Sequence, residues 1–202
     1  LEKVILATNN KGKIRELNSL ISGESWEFTT PAAEGIELDV EETGRTFEEN
    51  AVLKAKAYAK TSNLPAVADD SGLEVDALNG DPGVFSARYA GTDASDNKRN
   101  EFLLFNLANV PWEKRTARFR CVIAIAFPED RLILCKGECL GIIAFEPKGE
   151  NGFGYDPIFY LPEFDKTMAE ISLDEKNKIS HRAKAARKAQ EFLTDLLRMG
   201  GS

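Results

Sequence analysis

Histidine occurs once and cysteine three times in the 202 residues. That scarcity removes two chemistries. A disulfide framework needs paired cysteines and an oxidising compartment. Cys121, Cys135 and Cys139 are odd in number and lie in apolar, strand-like surroundings. They read as reduced, buried thiols of a cytoplasmic protein, with no pair at zinc-ligand spacing. Long hydrophobic runs are missing too. None approaches the roughly 20 residues of a membrane span, and Lys3 to Ala7 is too short for a signal-peptide core. There is no internal repeat or low-complexity tract. Basic residues are outnumbered, 26 against 33 acidic, and the net charge of −7 argues against a nucleic-acid partner.

What remains is an ordinary soluble enzyme's composition, 43% hydrophobic and 29% charged, on a chain long enough to bury a core. The charge is uneven. Lys176 to Arg198 holds seven Lys or Arg and two acids, a local +5, so the other residues carry −12. A basic segment in an acidic protein suits a small anionic ligand better than a polyanion.

The chain is organised around Ala66 to Leu78. Ala66 to Ala68 has the apolar run of a buried strand, and Leu73, Val75 and Ala77 alternate with Glu74 and Asp76 at strand period. Asp69, Asp70 and Ser71 fall between these two pieces and predict a break, with Gly72 giving the backbone its freedom. Asp, Ser and Gly are also ordinary turn residues, so this motif alone chooses no function.

Val4 to Ala7 reads as a strand, and Ile14, Leu17, Leu20 and Ile21 as one face of a helix. Between them Thr8-Asn9-Asn10-Lys11-Gly12-Lys13 forms a polar connection of the kind that binds phosphate on backbone N–H groups. It is not a Walker loop, because the first glycine is missing and Ile14 follows Lys13. Trp26 to Thr29 predicts a strand. An acidic run, Glu37 to Glu42, precedes Thr46-Phe47-Glu48-Glu49, a capping box. In the helix it opens, Phe47, Ala51, Ala55, Tyr58 and Ala59 form the apolar face, and Lys54 lies on that side while Lys56 and Lys60 point away. A lysine there needs an anion, either a carboxylate or a ligand phosphate.

Ser95 or Thr92 caps a helix to about Leu107. Ala117 to Phe127 is the clearest strand and predicts burial on both faces from Val122. Leu132 to Glu138 follows, and Ile142 to Phe145 extends the sheet. Gly149 to Phe159 is a glycine-rich loop whose Phe153 and Tyr155 can stack on a base and whose Asp156 can accept from a base edge. Ser180 caps a last helix with Ala185, Ala189, Phe192, Leu193, Leu196 and Leu197 on its apolar stripe. Its first turn holds His181 and Arg182, cations that oppose the helix dipole unless an anion is bound there.

Six motifs in this order resemble one family. They are residues 7 to 13 (Ala-Thr-Asn-Asn-Lys-Gly-Lys), 41 to 51 (Glu-Glu-Thr-Gly-Arg-Thr-Phe-Glu-Glu-Asn-Ala) and 68 to 73 (Ala-Asp-Asp-Ser-Gly-Leu). The others are 82 to 91 (Pro-Gly-Val-Phe-Ser-Ala-Arg-Tyr-Ala-Gly), 153 to 159 (Phe-Gly-Tyr-Asp-Pro-Ile-Phe) and 179 to 182 (Ile-Ser-His-Arg). Nearly end to end, the chain is similar to the inosine triphosphate pyrophosphatases, which act on deaminated purine nucleotides. Ala183 stands where that family has glycine.

The resemblance implies a single α/β domain over residues 1–202: an elongated mixed β-sheet flanked by helices, two lobes with a central cleft, in a cytoplasmic homodimer. It implies Mg²⁺-dependent cleavage of ITP, dITP or XTP to the monophosphate and pyrophosphate, with no membrane or nucleic-acid partner. By the same resemblance Asp70 is the general base, Glu42 and Asp70 hold the metal, and Thr8, Asn9, Asn10, Lys11, Gly12, Lys13, Lys54, Ser71, Lys176, His181 and Arg182 bind substrate. Phe153, Gly154, Tyr155 and Asp156 match the base pocket. Arg182 as donor and Asp156 as acceptor fit the 6-carbonyl and N1–H of hypoxanthine or xanthine. Adjacent strand residues point oppositely, so Asp69 is not expected to share Asp70's metal. Two rivals are a Ser71–His181 hydrolase, which lacks nucleophile-elbow glycines, and a non-catalytic nucleotide- or RNA-binding module.

Overall fold

The computed structural model describes residues 2–8, 10–21 and 26–200. Among the described residues seven strands form a mixed sheet in the order β2-β1-β3-β4-β5-β6-β7. They are β1 (Glu2–Leu6), β2 (Trp26–Thr29), β3 (Ala66–Val75), β4 (Thr116–Ala126), β5 (Leu132–Ile143), β6 (Phe159–Leu161) and β7 (Lys166–Thr167). The helices are α1 (Lys11–Leu20), α2 (Phe47–Ser62), α3 (Asp96–Asn106), α4 (Leu173–Ile179) and α5 (His181–Gly200). β1 runs parallel to β2 and β3, whereas β6 is antiparallel to both β5 and β7. This is the mixed α/β architecture the sequence implied.

The chain divides into two compact units, one of residues 1–70, 121–137 and 182–202, the other of 71–120 and 138–181. Each has its own core. In the first unit Val4, Leu6 and Val67 from parallel strands meet Cys121, Ile123 and Ile125 of β4 and the stripe Ala185, Ala186, Ala189 and Leu193 of α5. α5 presents small residues there because alanines let a helix approach a sheet closely; Phe192 and Leu196 pack partly against the same core. In the second unit Leu73, Val75, Leu103, Leu107, Phe119, Ile143 and Phe159 form the core.

α2 follows its sequence pattern closely. Phe47, Ala51, Ala55, Tyr58 and Ala59 are buried, and Lys56 and Lys60 are exposed. Thr46 caps it by accepting from the Glu49 N–H at 3.1 Å. The reciprocal bond of a capping box is displaced by one residue, because Glu49 accepts from Arg45 N–H at 2.6 Å. Ser95, rather than Thr92, caps α3.

Three strand expectations are corrected. β3 is one strand of ten residues through Asp69, Asp70 and Ser71. Buried carboxylates are compatible with a strand once cations meet them, so no break is needed. The strand ends at Val75, where Asp76–Leu78 turns as a 3₁₀ helix and leaves Ala77 exposed. Leu132 to Glu138 and the stretch from Ile142 are likewise one strand, β5, because its residues 139 to 141 keep extended pairing geometry. The three cysteines are free and buried, as expected. No helix among the described residues is long and apolar enough to cross a membrane.

Candidate active site

In the first unit the middle of β3 carries Asp69 and Asp70 into a cluster of charges. Asp69 Oδ2 lies 3.1 Å from Lys13 Nζ and 3.4 Å from Arg182 Nε. Arg182 also bonds Glu16 of α1 through Nη1. Asp69, Glu16 and Arg182 are buried, Asp69 and Arg182 only 1% and 2% exposed, and Lys13 is half-buried. Burial alone would raise the Asp69 carboxyl, but Lys13, Arg182 and Lys54 outweigh it and hold it well below the usual carboxylate range. Burial would lower the Arg182 guanidinium, and Asp69 and Glu16 more than reverse that. So the anion demanded by a cation in the first turn of α5 comes from within the protein.

Asp70 is in a different environment, as the alternation of side chains along a strand requires. Its Oδ2 accepts from Asn50 Nδ2 at 3.1 Å. Burial pushes this carboxyl upward and Glu42 adds to the push, while Lys54, Lys13 and the Asn50 hydrogen bond pull the other way; the net direction is up. A carboxylate raised this way is a stronger base than an exposed one. Lys54 Nζ, on the apolar side of α2, bonds Glu42 Oε1 and the Asp69 carbonyl, both at 2.7 Å. Burial opposes its charge, but Asp69, Asp70 and Glu42 keep the ammonium above its ordinary value. Of the two partners the sequence left open for Lys54, the structure supplies the carboxylate.

Asn50 is the residue that reading the sequence missed. It is fully buried, donates to Asp70 and accepts from the Gly44 N–H at 2.8 Å. The available clue was a polar residue three positions after Phe47 on an otherwise apolar helix face.

The polar connection before α1 is tied to itself. Thr8 Oγ1 accepts from Asn10 N–H at 3.2 Å. Asn10 Oδ1 caps α1, accepting from Gly12 N–H at 2.9 Å and Lys13 N–H at 3.1 Å. Two donors that a phosphate loop would present are therefore used by the cap. Asn9 lies outside the described residues, as does the side chain of Lys11.

In the second unit Ser71 continues β3, and Asp156 and Lys176 form a buried pair at 2.6 Å. Asp156 Oδ2 also accepts from Phe153 N–H at 2.9 Å, closing the loop on itself. Lys176 Nζ stands 5.0 Å from the centroid of the Phe153 ring. Tyr155 is buried and donates through its hydroxyl to Ser86 O at 2.8 Å. Gly154 N–H and O are both bonded to α3 side chains. His181 stacks on Phe119, ring centroids 4.7 Å apart and 15° from parallel.

Glu42 and Asp70 could hold a cation. They offer carboxylate oxygens, the ligands of hard divalent ions, and Mg²⁺ needs only one or two of them beside water and phosphate. Glu42 adds to the upward push on Asp70, and a bound cation would relieve it. Among the described residues no three His, Cys, Asp or Glu side chains gather as the all-protein cage of a structural metal.

Fold and site together are those of an α/β protein that keeps buried carboxylate–cation clusters in mid-strand and at a glycine-rich loop. A model of the Ham1 family matches residues 4–192, and the chain belongs to that family. It is 52% identical over 194 residues to a dITP/XTP pyrophosphatase from Desulforamulus reducens, covering 96% of each chain. A dITP/XTP pyrophosphatase from Bacillus subtilis is 48% identical over 193 residues, 96% of this chain and 98% of that protein. Among solved structures, a HAM1 protein from Coxiella burnetii superposes with a TM-score of 0.89 at 44% identity, covering 96% of this chain and 100% of the other.

Proposed function

We propose that this chain is a nucleoside triphosphate diphosphatase that converts ITP, dITP and XTP to monophosphate and pyrophosphate, removing them from the nucleotide pool. The observation that carries the reading is Asp70: a buried carboxylate raised in basicity, held by Asn50 and flanked by Lys54 and Glu42. Relatives named dITP/XTP pyrophosphatase support the substrate class. The working form in this reading is a cytoplasmic homodimer with one domain per chain.

Asp70 accepts the proton of the water that attacks the α-phosphorus. The bond from that phosphorus to the α–β bridging oxygen breaks, and pyrophosphate leaves with the electron pair. Lys13 and Lys54 place positive charge toward the phosphates, where preorganised cations are worth most in a site that excludes water. Glu42 and Asp70 would hold Mg²⁺, which when bound neutralises phosphate charge. Thr8 to Lys13, Ser71 and His181 complete substrate binding.

Phe153 offers its ring to the base face, and Asp156 accepts from N1–H. For the donor to the 6-carbonyl we assign Lys176, which touches Asp156 directly, in place of Arg182, whose guanidinium holds Asp69 and Glu16. Adenine reverses donor and acceptor on this edge and would leave both groups unpaired, which a buried site rejects strongly. The test is a panel of nucleoside triphosphates with Mg²⁺, scored for pyrophosphate. Release from inosine and xanthosine triphosphates well ahead of adenosine triphosphate is expected. Release of orthophosphate, or equal rates for all bases, would refute the reading.

A further inference from the structure

The loop assigned to base reading is gripped from α3. Gly154 sits at a positive φ of 64°, a conformation in which glycine leaves the flanking peptides free to rotate. Both of those peptides are nonetheless fixed by side chains of one helix. Gly154 N–H donates to Asp96 Oδ2 at 2.7 Å, and Asn100 Nδ2 donates to Gly154 O at 3.2 Å. Asp96 and Asn100 are four residues apart, hence on one face of α3. The helix is itself anchored. Arg99 pairs with Asp96 and donates to Ala87 O at 2.8 Å and Ala94 O at 2.6 Å.

Asn100 is held there at a cost. It is 2% exposed, and its Oδ1 accepts no hydrogen bond among the described residues. A buried amide oxygen without a donor destabilises the fold. A leucine of similar size would avoid that penalty while giving up the bond to Gly154 O, two effects of similar size and opposite sign. What asparagine supplies is a donor to Gly154 O.

We propose that Asp96 and Asn100 are specificity-determining positioning residues: together they set the Gly154 peptides, and so the placement of the Phe153 ring and of Asp156 against the base. The proposal rests on the base-reading role of residues 153 to 156. It predicts an effect on base binding with little effect on the chemical step, since neither residue touches the reacting atoms.

The experiment measures kcat and KM for inosine and adenosine triphosphates, by pyrophosphate release, in the unmodified enzyme, Asn100→Leu and Asp96→Ser, with thermal unfolding of each. Asp96 is partly exposed and its loss leaves Ser95 capping α3, so this second variant folds even if the first does not. In both, KM for inosine triphosphate should rise about tenfold, within the range for losing a base–aromatic stacking contact. kcat should stay within about threefold, and the inosine-to-adenosine ratio of kcat/KM should narrow. Asn100→Leu should leave the unfolding temperature close to the parent's, since a lost bond and a removed unpaired acceptor offset one another. Folded variants with unchanged KM and ratio overturn the proposal. So does a loss confined to Asn100→Leu in which unfolding temperature and kcat fall together, the mark of a scaffold role. Equal kcat/KM for the two nucleotides in the unmodified enzyme removes the base-reading loop itself, and is seen before any variant is compared.

Discussion

Asp69 and Asp70 are neighbours in sequence and opposites in chemistry. Asp69 meets Lys13 and Arg182 and is held ionised, while Asp70 meets an amide and is pushed upward chiefly by burial. Asp70→Asn keeps size and the strand and removes the base. Turnover of inosine triphosphate should fall by about 10²–10⁴-fold, with an unchanged circular dichroism spectrum. Near-normal turnover in the folded variant would disprove the assignment. Arg182 offers a sharper choice. If it holds Asp69 and Glu16, Arg182→Met leaves buried carboxylates short of a cation and should cost about 3–5 kcal/mol in denaturant unfolding. A base-reading Arg182 would instead leave stability intact and raise KM for inosine triphosphate.

At the scale of elements, a helix can present a charge to the interior only from one face. α2 does so with Lys54, which is half-buried against Glu42 and the Asp69 carbonyl, while Lys56 lies in solvent. Lys54→Met should therefore lower kcat/KM by about 10²-fold, in the range found for removed electrostatic donors, and Lys56→Met should change it little. Similar small effects from both would reduce Lys54 to a structural ion pair. In β5 the constraint is steric. A Cβ at Gly141 would lie 2.6 Å from the Phe159 ring and 2.7 Å from Tyr160 O. Gly141→Ala should destabilise by about 1–3 kcal/mol, the usual range for an overpacked core, and an unfolding midpoint equal to the parent's would contradict that. The elements themselves were legible in sequence where one rule governed them. α2, α5 and β4 announce their buried faces by period alone. β3 does not, because two adjacent carboxylates look like a turn until the cations that permit their burial are known.

For the molecule as a whole, the separation of charge seen along the sequence becomes a set of pairings. The basic segment from Lys176 sends Lys176 to Asp156 and Arg182 to Asp69 and Glu16, so these two of its seven cations are matched inside the protein. If Glu42 and Asp70 hold Mg²⁺, EDTA should abolish pyrophosphate release and added Mg²⁺ should restore it. Calorimetric titration of the nucleotide-free protein should show metal binding that Asp70→Asn weakens. Turnover that persists in EDTA would favour a serine nucleophile at Ser71. The sequence by itself determined the family, through six motifs in order, along with the apolar faces and the types of side chain the site contains. Only the tertiary structure decided who meets whom: Asn50 on Asp70, Arg182 on Asp69 and Glu16, and α3 on Gly154. The reason is physical. Burial faces follow from a period of a few residues, which any window of the chain displays. An ion pair or hydrogen bond between residues 20 or 113 positions apart, as in Asn50–Asp70 and Asp69–Arg182, depends on a path through space that no local pattern encodes.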